Sequence, residues 1–492
     1  MIQAMLLAIG LARAAAAAPA DTALLTYESG VLVAANWIER RGDHVRSRAE
    51  LMQSGFRETE IELGPGETAL HSSTRVWDAG GKSGAPIERA LGADVVYWSD
   101  QIPSSIEQVV LRARALGQPT VTVAGASLYH PGTVPIAVTR VDSTDWVLDV
   151  NRKHYLVLTD EDGHVLSASM PDYGVVIERR IGFTPAQYPA WAPNDAAPGA
   201  PYRAQSVRIT EPQGHVLAGT LTVPDGAGPF PAAVLITGLS PSDRNGGSPP
   251  WMPLRDVADA LSRRGIAVLR VDDRGIGEST GDHAPSTTFD EADDVRTELA
   301  WLRARRGIAA ARIVLVGYSE GGLIAPMVAS TDRALAGIVT MAGPGVGGWE
   351  VARYQIEAAV VRDTSIAPSR REAEIARQLA DTLTAREKSY LGIDPLRYAR
   401  RVRCPALIVQ GAADLHVPVR SAERLAWAMR EAGNRDVSVR LLPGVSHSFL
   451  PDPPGLDAGW VALPGFMTSP EALRAIAEWA TAHTAVRRAR TP

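Results

Sequence analysis

The sequence is poor in cysteine, in lysine and in long apolar runs. Cys404 is its one cysteine, which excludes an intrachain disulfide framework and any multi-cysteine metal site. Lysine occurs only at Lys82, Lys153 and Lys388 among 50 basic residues. With alanine so abundant, the arginine excess reads as compositional bias and not as a polyanion-binding surface. The charges nearly cancel, 50 basic against 55 acidic, so neither disorder nor a nucleic-acid footprint is indicated. Beyond the N-terminus no stretch reaches the ~18 apolar residues of a membrane span. There is no H-E-x-x-H or P-loop pattern and no internal repeat. What remains is a chain of 492 residues, long enough to bury full cores in about two to four domains.

Residues 1–20 are apolar and rich in small side chains, and Ala18-Pro19-Ala20 has the small-x-small form of a signal-peptidase site. They are expected to be an export signal removed near Ala20, leaving a soluble periplasmic or secreted protein without stable membrane insertion. Arg13 interrupts the apolar stretch, and no basic residue precedes it.

Residues 21–183 read as a β-rich accessory domain. Candidate strands are 121–123, 136–141, 146–150, 155–159 and 173–179, with Asp162-Gly163 as a hairpin signal and one short helix over 103–115. His44, His71, His130, His154 and His164 follow no ligand spacing and read as surface or turn residues. Residues 184–203 carry Pro185, Pro189, Pro193, Pro198 and Pro201, the composition of a semi-rigid linker.

From about residue 204 the pattern changes. Apolar strand-like runs at 232–237, 266–271, 313–316, 338–342, 406–410 and 437–441 alternate with helical patterns at 254–264, 288–305, 321–330, 420–432 and 469–484. Such alternation predicts a parallel sheet covered on both faces. Acids at Asp290, Glu291, Asp293 and Asp294 suit the start of the helix near 288. Val295, Leu299 and Leu302 mark its buried stripe. Residues 349–402 lack a strand, and Ile375, Leu379 and Leu383 recur at helical spacing. They are expected to form a helical insertion over the sheet.

The chemistry concentrates at Gly317-Tyr318-Ser319-Glu320-Gly321, between a strand and a helix. A nucleophile on so tight a turn needs small flanking residues, here Gly317 and Gly321. A serine hydroxyl needs a base, and the base needs an acid to fix its tautomer. Asp414 and His447 each follow a strand and fall at the edge that carries Ser319. His416 lies too close to Asp414 to bridge it to Ser319, and His483 lies in a terminal helix.

On GYSEG at 317–321, GAADLHVP at 411–418, GVSHSF at 444–449 and VDDRGIGEST at 271–280, residues 205–485 resemble the α/β-hydrolase fold, particularly its serine esterase and serine-aminopeptidase-like branches. The resemblance implies an oxyanion hole of two backbone N–H groups. One belongs to Glu320, after the nucleophile. The other comes from the loop at 237–241, where Leu239 is the choice; relatives often carry His-Gly where this chain has Thr237-Gly238.

Other conspicuous residues read as structural. Asp272, Asp273 and Arg274 are expected to brace loops through carboxylate–guanidinium bonds. Gly343-Pro344-Gly345-Val346-Gly347-Gly348 matches G-x-G-x-x-G formally, but Pro344 removes an N–H that a phosphate cradle would use. Glu320 is expected as an exposed acid at a helix start, Tyr318 as packing beside the turn, and His283 as a loop residue without a role.

The whole reads as an exported two-domain serine hydrolase that cleaves carboxylic esters of small molecules through an acyl-enzyme on Ser319. It requires no metal or organic cofactor. A peptidase or amidase acting on peptide-like substrates, or an acyltransferase, are alternatives on the same residues. A non-catalytic binding protein using its N-terminal domain is the alternative of another class. Oligomeric state and the role of residues 21–183 stay open.

Overall fold

In a computed structural model of the chain, the strands form two sheets. The structure describes residues 22–181, apart from 29–30, 52–54, 78–82, 93, 100–101, 128–131 and 152, and residues 194–485, apart from 198, 248–250, 364–365, 381–383 and 453–466. The expected export signal, most of the expected linker, His130 and Leu383 lie outside the described residues.

The N-terminal sheet has thirteen strands: β1 (Thr22–Glu28), β2 (Val31–Arg41), β3 (His44–Leu51), β4 (Gly55–Gly64), β5 (Thr68–Trp77), β6 (Ile87–Ala90), β7 (Val95–Trp98), β8 (Thr120–Ser127), β9 (Thr133–Arg140), β10 (Asp145–Val150), β11 (Lys153–Thr159), β12 (Val165–Met170) and β13 (Val175–Ile181). Their order is β6-β5-β4-β3-β2-β1-β13-β12-β11-β10-β9-β8-β7. Every pairing is antiparallel except β7 with β8, which helix α1 (Ser104–Leu116) connects. The sheet rolls: Tyr97 on β7 and Ile102 pack against Val45, Ala49, Ile61 and Ala69 on β3 to β5, far along the strand order. Inside the curve, Ile106, Val109, Val110 and Ala113 of α1 join Trp98, Ile136, Leu148 and Tyr155 in one core.

The expected strands at 121–159 correspond to β8 to β11, and Gly163 has the positive φ a tight hairpin needs. Tyr173, expected within the last strand, lies instead in a 3-10 turn before β13. Strands β1 to β5 carry a weak signal. Their inward positions include Ser47, Ala49, Thr59, Ser72 and Thr74, so the alternation is steric with little hydrophobic contrast.

The C-terminal sheet has eight strands: β14 (Tyr202–Thr210), β15 (Val216–Pro224), β16 (Phe230–Ile236), β17 (Ala267–Val271), β18 (Ile308–Tyr318), β19 (Gly337–Met341), β20 (Ala406–Gly411) and β21 (Val437–Leu442). The order is β14-β15-β17-β16-β18-β19-β20-β21. From β17 to β21 every neighbouring pair is parallel. The expected strands pair in parallel; ahead of them, β14 and β15 form an edge hairpin that the strand pattern did not mark, and β15 runs antiparallel to both β14 and β17. Tyr202 and Arg203 belong to β14, so the linker is shorter than its expected end at 203.

Helices α2 (Pro253–Ser262), α3 (Thr288–Arg303), α4 (Gly321–Ala329), α9 (Arg420–Glu431) and α10 (Pro470–Thr484) cover the two faces. Leu299 of α3, Leu323 of α4 and Leu425 of α9 pack on one face; Val257 of α2 and Ile476 of α10 pack on the other. A capping box between Thr287 and Asp290 starts α3. Between β19 and β20 the described residues form α5 (Gly348–Arg362), α6 (Arg371–Leu379), α7 (Ala385–Leu391) and α8 (Pro395–Ala399). No described helix is long and apolar enough to cross a membrane.

Candidate active site

The parallel strands deliver their C-terminal loops to one edge. β18 ends at Tyr318 and α4 begins at Gly321, which leaves Ser319 and Glu320 to make the turn. Ser319 has φ +55°, a left-handed conformation that non-glycine residues adopt only where surrounding structure holds them. The holding is visible: Ser319 N donates to Met341 O at 2.8 Å, and Gly322 N donates to Ser319 O at 2.9 Å. A Cβ at Gly317 would lie 1.9 Å from Gly321 O, and one at Gly321 would lie 2.5 Å from Ile236 O. Both glycines are therefore required by close backbone approach.

Asp414 follows β20 and is fully enclosed. Its Oδ1 accepts from His416 N and Val417 N, both at 2.8 Å. Its Oδ2 accepts from Gln410 Nε2 at 2.6 Å and from His447 Nδ1 at 2.9 Å. A carboxylate accepts only, so Nδ1 of His447 carries the proton and Nε2 presents its lone pair. That Nε2 lies 3.2 Å from Ser319 Oγ. The structure thus brings Ser319, His447 and Asp414 together in one hydrogen-bonded line.

Two rings flank His447. His416 stacks on it, with centroids 4.8 Å apart and planes 12° from parallel, and the Tyr318 ring lies 5.3 Å away. From the helical insertion, Tyr354 of α5 donates its hydroxyl to Asp414 O at 2.9 Å. The loop after β16 passes close to Ser319: a Cβ at Gly238 would lie 3.4 Å from Ser319 Cβ.

The family model described as serine aminopeptidase S33 matches residues 253–454. Over that stretch, which spans β17 to β21 of the C-terminal sheet, the chain is similar to this family. Esterase EstD of Thermotoga maritima is 28% identical over 242 residues, 47% of this chain and 57% of that protein. The chain thus spans little more than half the length of this curated relative. An esterase of Pyrococcus furiosus matches at 18% identity over 58% of this chain and 92% of its own, with a TM-score of 0.42. The α/β hydrolase GrgF from Penicillium sp. sh18 matches at 18% identity over 57% and 99%, also with a TM-score of 0.42.

Behind Ser319, a buried charge network corrects one expectation. Glu320 is not exposed; it is 1% accessible. The Arg386 guanidinium, from α7 of the insertion, reaches it. Arg386 Nη2 donates to Glu320 Oε2 at 2.7 Å, Nη1 to Glu291 Oε1 at 3.0 Å and to Ser286 Oγ at 3.1 Å, and Nε to Leu239 O at 3.1 Å. Thr288 Oγ1 donates to Glu320 Oε1 at 2.6 Å. Burial pushes the Glu320 carboxyl above its ordinary range, while Arg386 and Thr288 pull it back. The acid at this helix start turns inward because a cation from a distant helix meets it there. Nothing local distinguishes Arg386 from its neighbours in T-A-R-E-K; only the docking of α7 does.

The Asp272–Arg274 cluster braces loops. Asp272 takes Arg244 Nε at 2.8 Å and Nη2 at 2.6 Å, and Arg274 binds both oxygens of Asp294. Asp273 differs: it accepts from Thr237 Oγ1 at 2.5 Å and from Ser242 N at 2.9 Å, which ties down the loop beside Ser319. Burial and the nearby Glu291 hold its carboxyl well above the usual range. The glycines at 343 and 345 sit against backbone of Gly322 and Ser421, so packing accounts for their spacing. Among the described residues, Glu211, His215 and Asp294 are grouped closely enough to bracket a cation, but Arg274 already holds Asp294.

Proposed function

We propose that the protein is a serine hydrolase whose first substrates are carboxylic esters of small molecules. The observation that carries this reading is His447, with one ring nitrogen 2.9 Å from Asp414 and the other 3.2 Å from Ser319. The match to esterase EstD over the C-terminal half supports the same class.

In this reading His447 Nε2 takes the Ser319 proton as Oγ bonds the ester carbonyl carbon. The oxyanion is held by the backbone N–H groups of Glu320 and Leu239. The tetrahedral intermediate collapses and the carbon–oxygen bond to the alcohol breaks, with His447 returning its proton to the leaving oxygen. Water, deprotonated by His447, then attacks the acyl carbon; as the bond to Ser319 Oγ breaks, His447 returns the proton to Oγ and the acid is released. Asp414 keeps the Nδ1–H tautomer throughout. The helices α5 to α8 serve as a lid that supplies the acyl pocket. The product works outside the cytoplasm once residues 1–20 are removed, and no cofactor takes part.

Peptide or anilide cleavage is the second reading, favoured by the family model's description. Steady-state turnover of p-nitrophenyl acetate against aminoacyl p-nitroanilides separates the two. Esters should be cleaved at least ~10²-fold faster in kcat/KM, and Ser319→Ala should turn over neither. Ester turnover by Ser319→Ala equal to the parent chain would refute the mechanism.

A further inference from the structure

The loop that carries His447 is gripped from two sides. After β21 the chain folds into a tight hairpin: Ser446 N donates to Leu450 O at 3.0 Å, Val445 pairs with Pro451, and Asp452 N donates to Gly444 O at 2.6 Å. His447, Ser448 and Phe449 form its tip. Phe449 has φ +58°, and its side chain is buried in the hydrolase core. The next side chain goes elsewhere. Leu450 is 1% accessible and belongs to the core of the N-terminal sheet, with Leu24, Trp98 and Ile136.

Trp251 joins the two cores. Its ring packs against both, and its Nε1 donates to Ser448 O at 3.0 Å. The ring also meets Tyr318 edge-on at 6.4 Å, and Tyr318 in turn lies 5.3 Å from His447. Close by, Glu28 on β1 accepts from Met467 N at 3.1 Å, and Ser469 N donates to Phe449 O at 2.7 Å. The segment flanking the catalytic-edge histidine is therefore built into an interface with the N-terminal sheet.

We propose that the N-terminal sheet is a brace for the active site: its core takes up Leu450 and, with Trp251, holds the hairpin so that His447 stays within hydrogen-bond reach of Ser319. Leu450 and Trp251 are positioning residues; they act through the hairpin, Leu450 from three positions beyond His447 and Trp251 through its bond to Ser448, the residue after His447. The proposal rests on the serine hydrolase reading for its kinetic consequence, since a misplacement of about 1 Å at a reacting group can cost ~10²-fold in rate. It assigns residues 22–181 a part in turnover even of esters too small to touch them.

The test uses the full chain with Leu450→Ala, Leu450→Met and Leu148→Ala. Leu148, on β10, is fully buried in the same N-terminal core, so its truncation controls for simple loss of core volume. With p-nitrophenyl acetate, Leu450→Ala should lower kcat about tenfold or more, with KM within about threefold. Leu450→Met should recover most of the rate, because it restores the volume. Leu148→Ala should lose comparable thermal stability and keep kcat within about twofold. Wild-type kcat in a folded Leu450→Ala, or an equal loss of kcat in Leu148→Ala, would overturn the brace. A second readout does not depend on turnover. The Nδ1 proton of His447, bonded to Asp414, should give a downfield proton resonance that His447→Gln removes. The resonance should broaden or vanish in Leu450→Ala and persist in Leu148→Ala. An unchanged resonance in Leu450→Ala would overturn the brace even in a chain that hydrolyses nothing; absence of turnover in the parent chain with the resonance responding as described would instead sink the hydrolase reading.

Discussion

Arg386 Nη2 and Glu320 Oε2 lie 2.7 Å apart, with both side chains almost fully buried. The pair joins the helical insertion to the residue that follows Ser319. The same guanidinium also donates to Leu239 O, so one side chain fixes both segments proposed to form the oxyanion hole. This bears on the proposed lid. Any opening that carried α7 away would leave Glu320 and Glu291 buried without their cation, at a cost of several kcal/mol. Within the proposed lid, α7 therefore stays with the sheet.

Removing the guanidinium tests this arrangement. Arg386→Met should lower unfolding stability by about 3–5 kcal/mol, because uncompensated carboxylates remain buried. Arg386→Met/Glu320→Gln should recover part of that loss, giving a coupling of about 1–3 kcal/mol in a double-mutant cycle by urea unfolding. A loss below about 1 kcal/mol for the single variant would show the network to be ornamental.

Asp414→Asn addresses the tautomer of His447. An amide in place of the carboxylate can donate to Nδ1, which moves the imidazole proton to Nε2 and removes the base facing Ser319. Turnover should fall about 10⁴-fold in kcat with little change in KM. A fall of less than tenfold would mean that another acid orients His447.

Glu28 gives the stability a pH dependence. Burial at the junction with Met467 pushes its carboxyl from 4.5 up to about 8. The folded protein thus keeps a proton that the unfolded chain has already released across this interval. Its stabilising contribution is complete below pH 4.5, and it declines as pH rises through about 8. Glu28→Gln keeps an acceptor for Met467 N without an ionisable group. Its urea midpoint should therefore fall less than that of the parent chain between pH 5 and pH 8.5. Identical slopes would show that Glu28 is ionised in the folded state at neutral pH.

How much of this was legible beforehand follows from distance along the chain and from what side chains share. Gly317 and Gly321 announce the turn because backbone oxygens occupy the space a Cβ would need. The sequence order Ser319, Asp414, His447 is readable because parallel strands return their loops to one edge. Arg386 is not readable, since its partners Glu291 and Glu320 lie 95 and 66 residues away. Strands β1 to β5 were muted because Ser, Thr and Ala point inward. Leu450 looks like any apolar residue near the C-terminus, and its surroundings are supplied by residues more than 270 positions earlier.

The central claim is that Ser319 is the nucleophile. The most direct measurement is labelling of the full chain with a fluorophosphonate probe, mapped by peptide mass spectrometry beside Ser319→Ala. The account predicts one modified residue, Ser319, with labelling abolished in the variant and with loss of ester turnover in step with labelling. Label on another residue, or ester turnover that survives complete modification of Ser319, would contradict it.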